Sequence, residues 1–408
     1  MPVIDVAASK LFEQLQQSRA ESDRLFRLLK PEALYQRPIT ERHRVIFYIG
    51  HLDGFDSIRI CREALNLRSP NPAFDDLFQA GIDPDSAHLP VDSTADWPSL
   101  EGVAEYLRCC RRHVDKYLEI APEDVVSMAL EHRQMHLETL AYMFHNFPYE
   151  LKNARPAEPA NVRSEGPPNT WCEVPAGEAI LGKKRDGTFG WDNEYEEVRV
   201  QAPAFRIQRY KVTNGDYLQF VKQGAKLPYF WIRRGNSIYY RGMFGEIPLP
   251  LAWPVYVTQQ EAQAYASWRG EALPTEAQFH RAAYGIPSGG NLTYPWGTAE
   301  PAAKHGNFDF RRWDPVPINA TPGGDSAWGV SQTVGNGWEW TSTPFAPFPG
   351  FRAHEFYPGY SANFFDGAHY VLKGGSPRTA RRLLRRSLRN WFRADYPYVY
   401  ATFRCVEN

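Results

Sequence analysis

The sequence has few cysteines, little net charge and no long apolar run. Its 408 residues include five cysteines, an odd and low number that favours a reduced, cytoplasmic protein over a disulfide-bonded secreted one. Lysine plus arginine (46) nearly balance aspartate plus glutamate (47), which argues against nucleic acid or an anionic membrane as the main partner. The roughly 18 consecutive apolar residues of a membrane-spanning helix do not occur, so none is expected. The mixed, partly acidic first residues predict no secretory signal.

Composition changes along the chain and predicts two domains. Hydrophobic residues at 43% and charged residues at 23% are typical of folded globular proteins, and a chain of this length forms two or three domains. Of the 12 tryptophans, only Trp97 precedes residue 171. The segment 152–170 is polar, rich in proline and without periodicity, as linkers are. We therefore predict a first domain over 1–151, a linker over 152–170 and a second domain over 171–408.

The first domain is predicted to be a helical bundle. Apolar residues recur every three to four positions, which is the spacing of one helix face, in four runs at 11–29, 45–64, 103–117 and 123–147. Pro148 follows the last run and cannot continue a helix comfortably. A long connection around 66–97 separates the second and third runs. Four helices of this kind pack as a bundle.

The second domain lacks helical periodicity. Short β-type runs alternate with glycine-containing turns, and the clearest of these runs are 197–213, 370–375 and 398–406. Only 259–269 and 275–283 have a helical pattern. We predict an irregular α+β domain that is rich in loops.

The sharpest local pattern is the pair His132 and His136 in the fourth predicted helix. Residues four apart lie on one helix face, about 6 Å apart along the axis, so both imidazoles can reach one ion. Facing helices of a bundle can converge on a metal in its core, which makes His51, in the apolar second run, the best candidate for a third ligand. Glu138 is turned away from the shared face, and it suits an acceptor behind an imidazole N–H better than a ligand.

These residues alone leave the site and its metal open. Two histidines four apart more often form an ordinary exposed or hydrogen-bonded pair than a metal site. Three neutral imidazoles suit Fe(II), Zn(II) or Cu(II). Three protein ligands on a six-coordinate iron would leave three positions for substrates and O2.

Several motifs together resemble one known family. The helical half, with its upstream histidine and HxxxHxE pattern, resembles a DinB-type bundle. The second half carries LPTEA, YPWG, GNGWEW and LKGGS, beginning at residues 273, 294, 335 and 372, and resembles a formylglycine-generating-enzyme-like domain related to C-type lectins. Their fusion in this order resembles the EgtB/OvoA family of non-heme iron sulfoxide synthases. The resemblance implies an α+β multidomain fold, with a DinB-like four-helix bundle before an irregular lectin-like domain.

The resemblance also implies a reaction and a ligand set. Family members bind Fe(II) with three histidines, which match His51, His132 and His136. They use O2 as a cosubstrate to join a sulfur donor to the imidazole of hercynine (trimethylhistidine). Tyr357 matches a catalytic tyrosine that donates a proton or an electron, and Tyr360 matches one near the substrate ammonium. Alternatively, the two tyrosines simply pack a Pro-Gly loop.

The segment that holds hercynine in the family matches Asn390 and Trp391. A quaternary ammonium cannot donate a hydrogen bond, so aromatic faces are its natural partners. We therefore expect Trp391, Phe392 and Tyr360 to form a cage around the trimethylammonium group. The alternative for each is an ordinary aromatic side chain packed in a tryptophan-rich domain.

Three positions depart from the family and point to a different donor. Members that use glutamylcysteine carry an aspartate and an arginine where this chain has Phe392 and Tyr396, and two aromatics cannot reproduce that charged clamp. Met135 replaces a substrate-binding glutamine and removes a hydrogen bond. The segments 41–56, 74–84 and 131–143 are most similar to the selenoneine synthase branch, SenA.

The SenA branch joins a selenosugar, 1-selenoglucose, to hercynine, so we predict C–Se bond formation. The alternative is an EgtB-like sulfoxide synthase that uses cysteine or γ-glutamylcysteine. The expected partners are these small molecules, bound between the two domains.

Two further functions remain as alternatives. One is a DinB-type, metal-dependent thiol transferase, and the other is a non-catalytic lectin-like binding protein. Formylglycine generation is disfavoured because Cys405 has no second cysteine nearby. The arginine-rich run 378–393 is expected to be a solvated or salt-bridged face, of which one or two members could bind a substrate carboxylate.

Overall fold

The computed structural model describes residues 6–79, 89–153 and 164–407, with the backbone alone over 6–9. The chain divides into two compact units, Met1–Arg155 and Pro156–Asn408, and each unit buries its own apolar side chains. The division falls inside the segment expected to be a linker. None of the helices in the described ranges combines the length and the apolarity that a bilayer crossing requires.

Helices build the first unit. Within the described residues they are α1 (Val6–Phe26), α2 (Val45–Asp56), α3 (Pro72–Phe78), α4 (Leu100–Tyr117) and α5 (Glu123–His145). The four long helices confirm the four predicted runs, although α1 ends three residues before its run does. Helix α2 continues as a π-helix over Ser57–Ala64, a geometry that is frequent at functional sites.

The short helix α3 was not predicted, and it corrects the expectation of a plain connection over 66–97. Asn71 caps it, because its side-chain oxygen accepts the N–H of Phe74 at 3.2 Å. Pro72 occupies the first position, where no backbone donor is needed. Seven residues are too few for a helical period to be visible in the sequence. The helix matters because its last residue, Phe78, contacts the functional site.

Helices α2 and α5 lie inside the first unit. Helix α5 packs against α1 and α2, and α2 also packs against α3 and α4. Every residue of α2 except Ile49 is buried, which explains its nearly continuous apolar sequence. The polar side chains of α2, and His132 and Arg133 of α5, are therefore held in the interior.

The second unit combines helices with many short strands. In the described residues the helices are α6 (Asn214–Lys222), α7 (Gln259–Arg269) and α8 (Glu276–Tyr284). The strands are β1 (Trp171–Val174), β2 (Gly177–Leu181), β3 (Val198–Ala202), β4 (Phe205–Gln208), β5 (Trp231–Arg234), β6 (Ser237–Arg241), β7 (Glu246–Pro248), β8 (Trp338–Pro344), β9 (His369–Lys373), β10 (Asn390–Arg393), β11 (Ala401–Thr402) and β12 (Val406–Glu407). This is the predicted α+β arrangement.

The helix predictions for this unit were incomplete. Helix α7 has the predicted bounds, and α8 is shifted by one residue. Helix α6 was missed. It begins with a capping box in which the Thr213 hydroxyl donates to Asp216 at 2.7 Å and accepts the N–H of Asp216 at 3.0 Å. A threonine followed three residues later by an acid is a helix-start signal that could have found it.

The strands form four small sheets, in the orders β1-β4-β12, β2-β3, β5-β6-β7 and β10-β9-β8-β11. Strand β10 in the last sheet carries predicted substrate residues. It pairs antiparallel with β9, with Trp391 opposite Val371 and Phe392 opposite Tyr370. Neighbouring residues of a strand point to opposite faces, so Trp391 and Phe392 lie on different faces of this sheet.

The buried Glu339 of the GNGWEW motif, with the cations that contact the motif, stabilises the second unit. Glu339 in β8 accepts two hydrogen bonds from Arg404, at 2.6 and 2.8 Å, and both side chains are fully buried. The ammonium of Lys211 donates to the carbonyls of Gly335 and Gly337 at 2.7 and 2.6 Å. The motif therefore serves the fold, because removing one member would leave a buried charge without its partner.

Candidate metal centre and substrate residues

The three predicted histidines meet in the first unit. One ring nitrogen each of His51 on α2 and of His132 and His136 on α5 lies within 4.8 Å of the others. The Nε2 atoms of His132 and His136 are 3.1 Å apart. Two nitrogens that each lie ~2.1 Å from one ion are separated by about 3.0–3.4 Å at coordination angles between square and tetrahedral. The separation of His132 and His136 fits two ligands of one ion, and His51 offers a third ring nitrogen within 4.8 Å of them.

A backbone carbonyl fixes the orientation of His51. Its Nδ1 lies 2.6 Å from the carbonyl oxygen of Phe78 at the end of α3. A carbonyl only accepts, so Nδ1 carries the hydrogen and Nε2 keeps the lone pair. Nε2 is buried and has no hydrogen-bond partner among the described residues. A histidine whose other nitrogen is held by a carbonyl in this way is prepared to bind a metal through the free one.

Burial keeps all three imidazoles neutral. Removal from water is the largest cause, and it lowers the pKa of His51 to about 4. The same cause lowers the pKa values of His132 and His136 well below the ordinary range, and repulsion from the neighbouring histidines adds to it. The neutral imidazole is the form that binds metals. The site therefore needs no deprotonation at neutral pH.

Aromatic rings cover two of the imidazoles. Phe47 stacks on His51 with ring centroids 4.9 Å apart and an interplanar angle of 20°. Phe55 stacks on His132 at 3.5 Å and 11°. Such an apolar shell limits access of water and holds the rings in place.

A buried ion-pair network beside the histidines links α2 to α5. Arg133, the neighbour of His132, donates to Asp53 at 2.5 Å and to Asp56 at 2.6 Å. The three side chains are at most 2% exposed. Sequence reasoning missed this network, although charges inside an apolar helix are rarely unpaired and were a visible signal.

Two further residues predicted on α5 lie beside the ligands. Met135 is partly buried, and the Thr139 hydroxyl donates to its carbonyl at 3.2 Å. Glu138 is 9% exposed, and its role as an acceptor behind an imidazole stays a prediction. For His51 that acceptor is the carbonyl of Phe78.

In the second unit, Tyr360 and Trp391 come together. Their rings meet edge to face, with centroids 5.3 Å apart and an interplanar angle of 82°. Trp191 stacks on Tyr360 at 3.9 Å, and Phe345 stacks on Trp391 at 4.3 Å. Sequence reasoning missed both supporting rings. Two perpendicular rings, each supported by another, form an aromatic corner that suits a quaternary ammonium.

Phe392 does not join this corner, so the cage of three aromatics was wrong in that respect. It lies on the opposite face of β10 and stacks on Tyr396, with centroids 5.3 Å apart and an interplanar angle of 8°. Asn390 accepts the backbone N–H of Trp391 with its side-chain oxygen at 2.9 Å. The predicted substrate residues of β10 therefore serve two different surfaces.

Tyr357 lies near the aromatic corner. Its ring centroid is 5.8 Å from that of Tyr360, and its carbonyl accepts the N–H of Tyr360 at 3.1 Å. The two tyrosines thus pack within one turn, as the structural alternative expected. The catalytic role of Tyr357 stays a prediction.

Comparison with known proteins accounts for both units. Residues 14–140 match the DinB superfamily, and residues 157–408 match the sulfatase-modifying factor enzyme 1-like domain. The chain is 34% identical to a hercynine oxygenase of Mycolicibacterium thermoresistibile, over 80% of this chain and 77% of that protein. The chain belongs to the EgtB-type family.

Other members of the EgtB-type family are similar over different lengths. A hercynine oxygenase of Mycolicibacterium smegmatis is 36% identical over 69% of this chain and 71% of that protein. Ergothioneine biosynthesis protein 1 of Neurospora crassa is 28% identical over 93% of this chain. The chain spans 56% of that protein and 54% of the Schizosaccharomyces pombe protein of the same name, so about half the length of these curated relatives. The predicted family and fold class are confirmed, and the SenA branch stays a prediction.

The arginine-rich run of this EgtB-type chain is largely paired within the second unit. Arg381 pairs with Asp309 at 3.0 Å, and Arg385 pairs with Glu194. Arg389 donates to both oxygens of the buried Glu276 at 3.1 Å. The salt-bridged interpretation of this run is therefore correct for these residues.

Proposed function

We propose that this chain is an Fe(II)- and O2-dependent enzyme that joins a thiol or selenol donor to the imidazole carbon of hercynine. The observation that carries the proposal is the buried three-histidine site in a chain whose relatives are named hercynine oxygenase. His51, His132 and His136 would hold the iron, since imidazoles suit Fe(II). Iron bound there would activate O2 and lower the pKa of the donor thiol or selenol.

The residues of the first unit orient the ligands and exclude water. The carbonyl of Phe78 holds the lone pair of His51 toward the other imidazoles, and Phe47 and Phe55 cover the rings. Met135 would add an apolar wall beside the ligands. We also propose a reduced, cytoplasmic setting, because all five cysteines are free thiols, as is usual in that compartment.

The residues of the second unit would bind hercynine. The trimethylammonium group would rest against the aromatic corner of Tyr360 and Trp391 through cation–π attraction, which is worth about 0.5–2 kcal/mol for each ring. Asn390 holds the backbone of Trp391 and would contact the amino-acid part of the substrate. Tyr357 would hold a transferable proton at its phenol oxygen.

The donor is the part of the reaction on which this chain departs from its relatives. Phe392 and Tyr396 stack as an apolar pair where a charged amino-acid donor would need an acid and a base. Aromatic faces suit the C–H faces of a sugar, so this pair favours selenoglucose. The relatives named for ergothioneine biosynthesis favour the alternative donors, cysteine and γ-glutamylcysteine. We propose the sugar donor as the first candidate.

A competition experiment tests both parts of the proposal. The chain, reduced iron, hercynine and O2 are mixed with equal amounts of selenoglucose, cysteine and γ-glutamylcysteine, and products are identified by mass. We expect hercynine-dependent O2 consumption and mainly the selenosugar adduct. A preference for an amino-acid thiol would reject the sugar donor alone. No hercynine-dependent O2 consumption with any donor would reject the proposed O2-dependent reaction and favour the thiol transferase or the binding protein.

A single variant tests the catalytic tyrosine in the same assay. Replacing Tyr357 by Phe keeps the ring and removes the transferable proton. We expect turnover to fall by about 100-fold or more, as for loss of a general acid, with hercynine binding unchanged. Full turnover in Tyr357→Phe would remove this residue from the catalytic set.

A further inference from the structure

One cavity of the second unit plays no part in the proposed chemistry. It has a volume of about 380 Å³ and is lined by the segments 183–188, 291–294 and 385–387. This volume is within the range of small-molecule sites. None of the residues predicted to bind metal or substrate lines it.

The lining of this cavity has an excess of positive charge. Lys183, Arg385 and Arg386 face a single acid, Asp186. Arg385 is already neutralised by its two-point pair with Glu194. Lys183 donates to the carbonyl of Thr188 at 3.0 Å and to that of Phe189 at 3.1 Å. Their hydrogen-bonding capacity is therefore largely used within the protein.

Arg386 is the exception among these cations. In the part of the chain that the structure describes, no carboxylate lies within ion-pair distance of its guanidinium. Partial burial is the main cause that lowers its pKa. The more distant Glu197 partly opposes this effect. A partly buried guanidinium without an ion-pair partner is stabilised by a bound anion.

Unused hydrogen-bonding groups lie on the same cavity. The side-chain oxygen and nitrogen of Asn291 are both buried and have no hydrogen-bond partner among the described residues. Tyr294 also lines the cavity, and its ring is fixed by stacking on Trp296 at 5.2 Å and 5°. Buried polar atoms are normally paired, so this side of the cavity suits a polar ligand.

We propose that this cavity binds a small oxyanion, a phosphate or carboxylate group carried by a polar molecule. The planar guanidinium of Arg386 can donate two parallel hydrogen bonds to either group. The amide nitrogen of Asn291 can donate to the anion, its oxygen can accept from another group of the bound molecule, and Tyr294 supplies a hydroxyl. None of its lining residues belongs to the histidine cluster, and the proposal does not depend on the proposed reaction.

Calorimetric titration of the full chain tests the proposal, with inorganic phosphate and succinate as probes at constant ionic strength. We expect saturable binding of at least one probe, with one site per chain. Arg386→Gln should weaken it by at least about ten-fold. Arg386→Lys keeps the positive charge but loses the planar guanidinium that donates two parallel hydrogen bonds. It should therefore weaken binding less than Arg386→Gln does. Arg233→Gln, at an exposed arginine of β5, is the matched control and should change nothing.

The outcomes separate the sources of the anion and the rival explanations. Binding of phosphate alone or of succinate alone supports the site and identifies the group. Asn291→Ala, expected to weaken binding about three-fold, keeps the test decisive if Arg386→Gln does not fold. His132→Ala removes a metal ligand and should leave anion binding intact. Loss of binding in His132→Ala, unchanged binding in folded Arg386→Gln, or no saturable binding of either probe would overturn the proposal.

Discussion

The orientation of His51 depends on the neighbouring Gly50, which leaves room for Phe78 to pack against α2. A Cβ atom on Gly50 would lie 2.5 Å from three ring atoms of Phe78. The carbonyl of the same Phe78 accepts the Nδ1–H of His51. Close packing of α3 on α2 and the direction of a metal ligand therefore depend on one position.

The first residue-scale prediction is that Gly50→Ala weakens both folding and metal binding. The added methyl must displace the Phe78 ring, and overpacking of this kind costs about 1–3 kcal/mol. We expect a lower urea midpoint and several-fold weaker Co(II) binding. The control is Gly102→Ala on α4, where the nearest atom to a Cβ would be 3.6 Å away. Unchanged metal affinity in Gly50→Ala would contradict the role of Phe78.

A second residue-scale prediction concerns His280, a fully buried histidine of α8. It is not one of the residues proposed to bind metal or substrate. Its Nδ1 lies 3.1 Å from the carbonyl of Ile180. Burial first, and the nearby Lys373 and Arg386 next, lower its pKa well below the ordinary value. The unfolded chain therefore takes up a proton near pH 6.5 that the folded chain does not.

Because of this histidine, the free energy of unfolding of the second unit should decrease as the pH falls below 6.5. The slope is at most about 1.4 kcal/mol per pH unit. We expect His280→Gln to reduce that slope. Urea unfolding at pH 7.5 and 5.5 measures it, followed by tryptophan fluorescence, because only Trp97 of the 12 tryptophans lies before residue 171. Equal slopes in the two proteins would contradict the shift.

The sequence indicated the three candidate ligands but not what orients them. His132 and His136 were visible from helical spacing, and His51 from its apolar surroundings. The acceptor of His51 is a backbone carbonyl 27 residues away, on a helix too short to show a period. A backbone atom of this kind leaves no trace in residue type.

At the scale of elements, the three imidazoles meet only if α2 and α5 stay at a fixed distance. Arg133 on α5 bridges to Asp53 and Asp56 on α2. Arg133 directly follows His132 in the chain, and Asp53 lies two residues after His51. Arg111 of α4 also donates to Asp53 at 2.9 Å. The network therefore connects three helices around the ligands.

The element-scale prediction is that Arg133→Met destabilises the first unit by about 3–5 kcal/mol. The buried Asp56 loses its ion-pair partner, and Asp53 loses the closest of its arginines but keeps Arg111. Chemical unfolding followed by far-UV circular dichroism measures the loss. Arg108→Met is the control, since its pair with Glu105 is exposed and is worth at most about 1 kcal/mol. Adding Asp56→Asn to Arg133→Met should restore part of the stability. No difference between Arg133→Met and Arg108→Met would contradict the bridging role.

The sequence predicted helices correctly where the apolar period continues over several turns. It failed to predict which face of a strand each side chain occupies. The four long helices of the first unit and α7 followed from apolar spacing. The expected cage placed Trp391 and Phe392 on one surface, although neighbouring residues of a strand point to opposite faces. Applying the two-residue period to β10 would have separated them. Helix α6 was missed because its nine residues are too few to show a clear helical period, although its capping box was visible.

At the scale of the whole molecule, all three proposed ligands belong to one unit. We predict that Met1–Arg155, produced alone, folds and binds one Co(II) with an affinity within about ten-fold of the full chain. Hercynine should bind weakly or not at all to this fragment, because the aromatic corner lies in the second unit. Absorption titration with Co(II) measures the first result and calorimetry the second. A folded fragment without metal affinity would contradict the ligand set.

Family membership was visible from the whole sequence, but the donor was not. Motifs from both halves identified the family because their joint occurrence in one order is specific. In our proposal the donor is selected by a few contacts, such as those of the stacked Phe392 and Tyr396, and an aromatic pair can serve more than one neutral ligand. Charge balance and composition carry no information about it.

The most direct test is anaerobic titration of Fe(II) into the full chain and into three variants, His51→Ala, His132→Ala and His136→Ala. The natural chain should bind one Fe(II), and each variant should lose at least about 100-fold in affinity, since each removes one of three ligands. A far-UV spectrum of each variant checks that it is folded. Undiminished iron binding by folded His51→Ala would contradict the three-histidine centre on which the account depends.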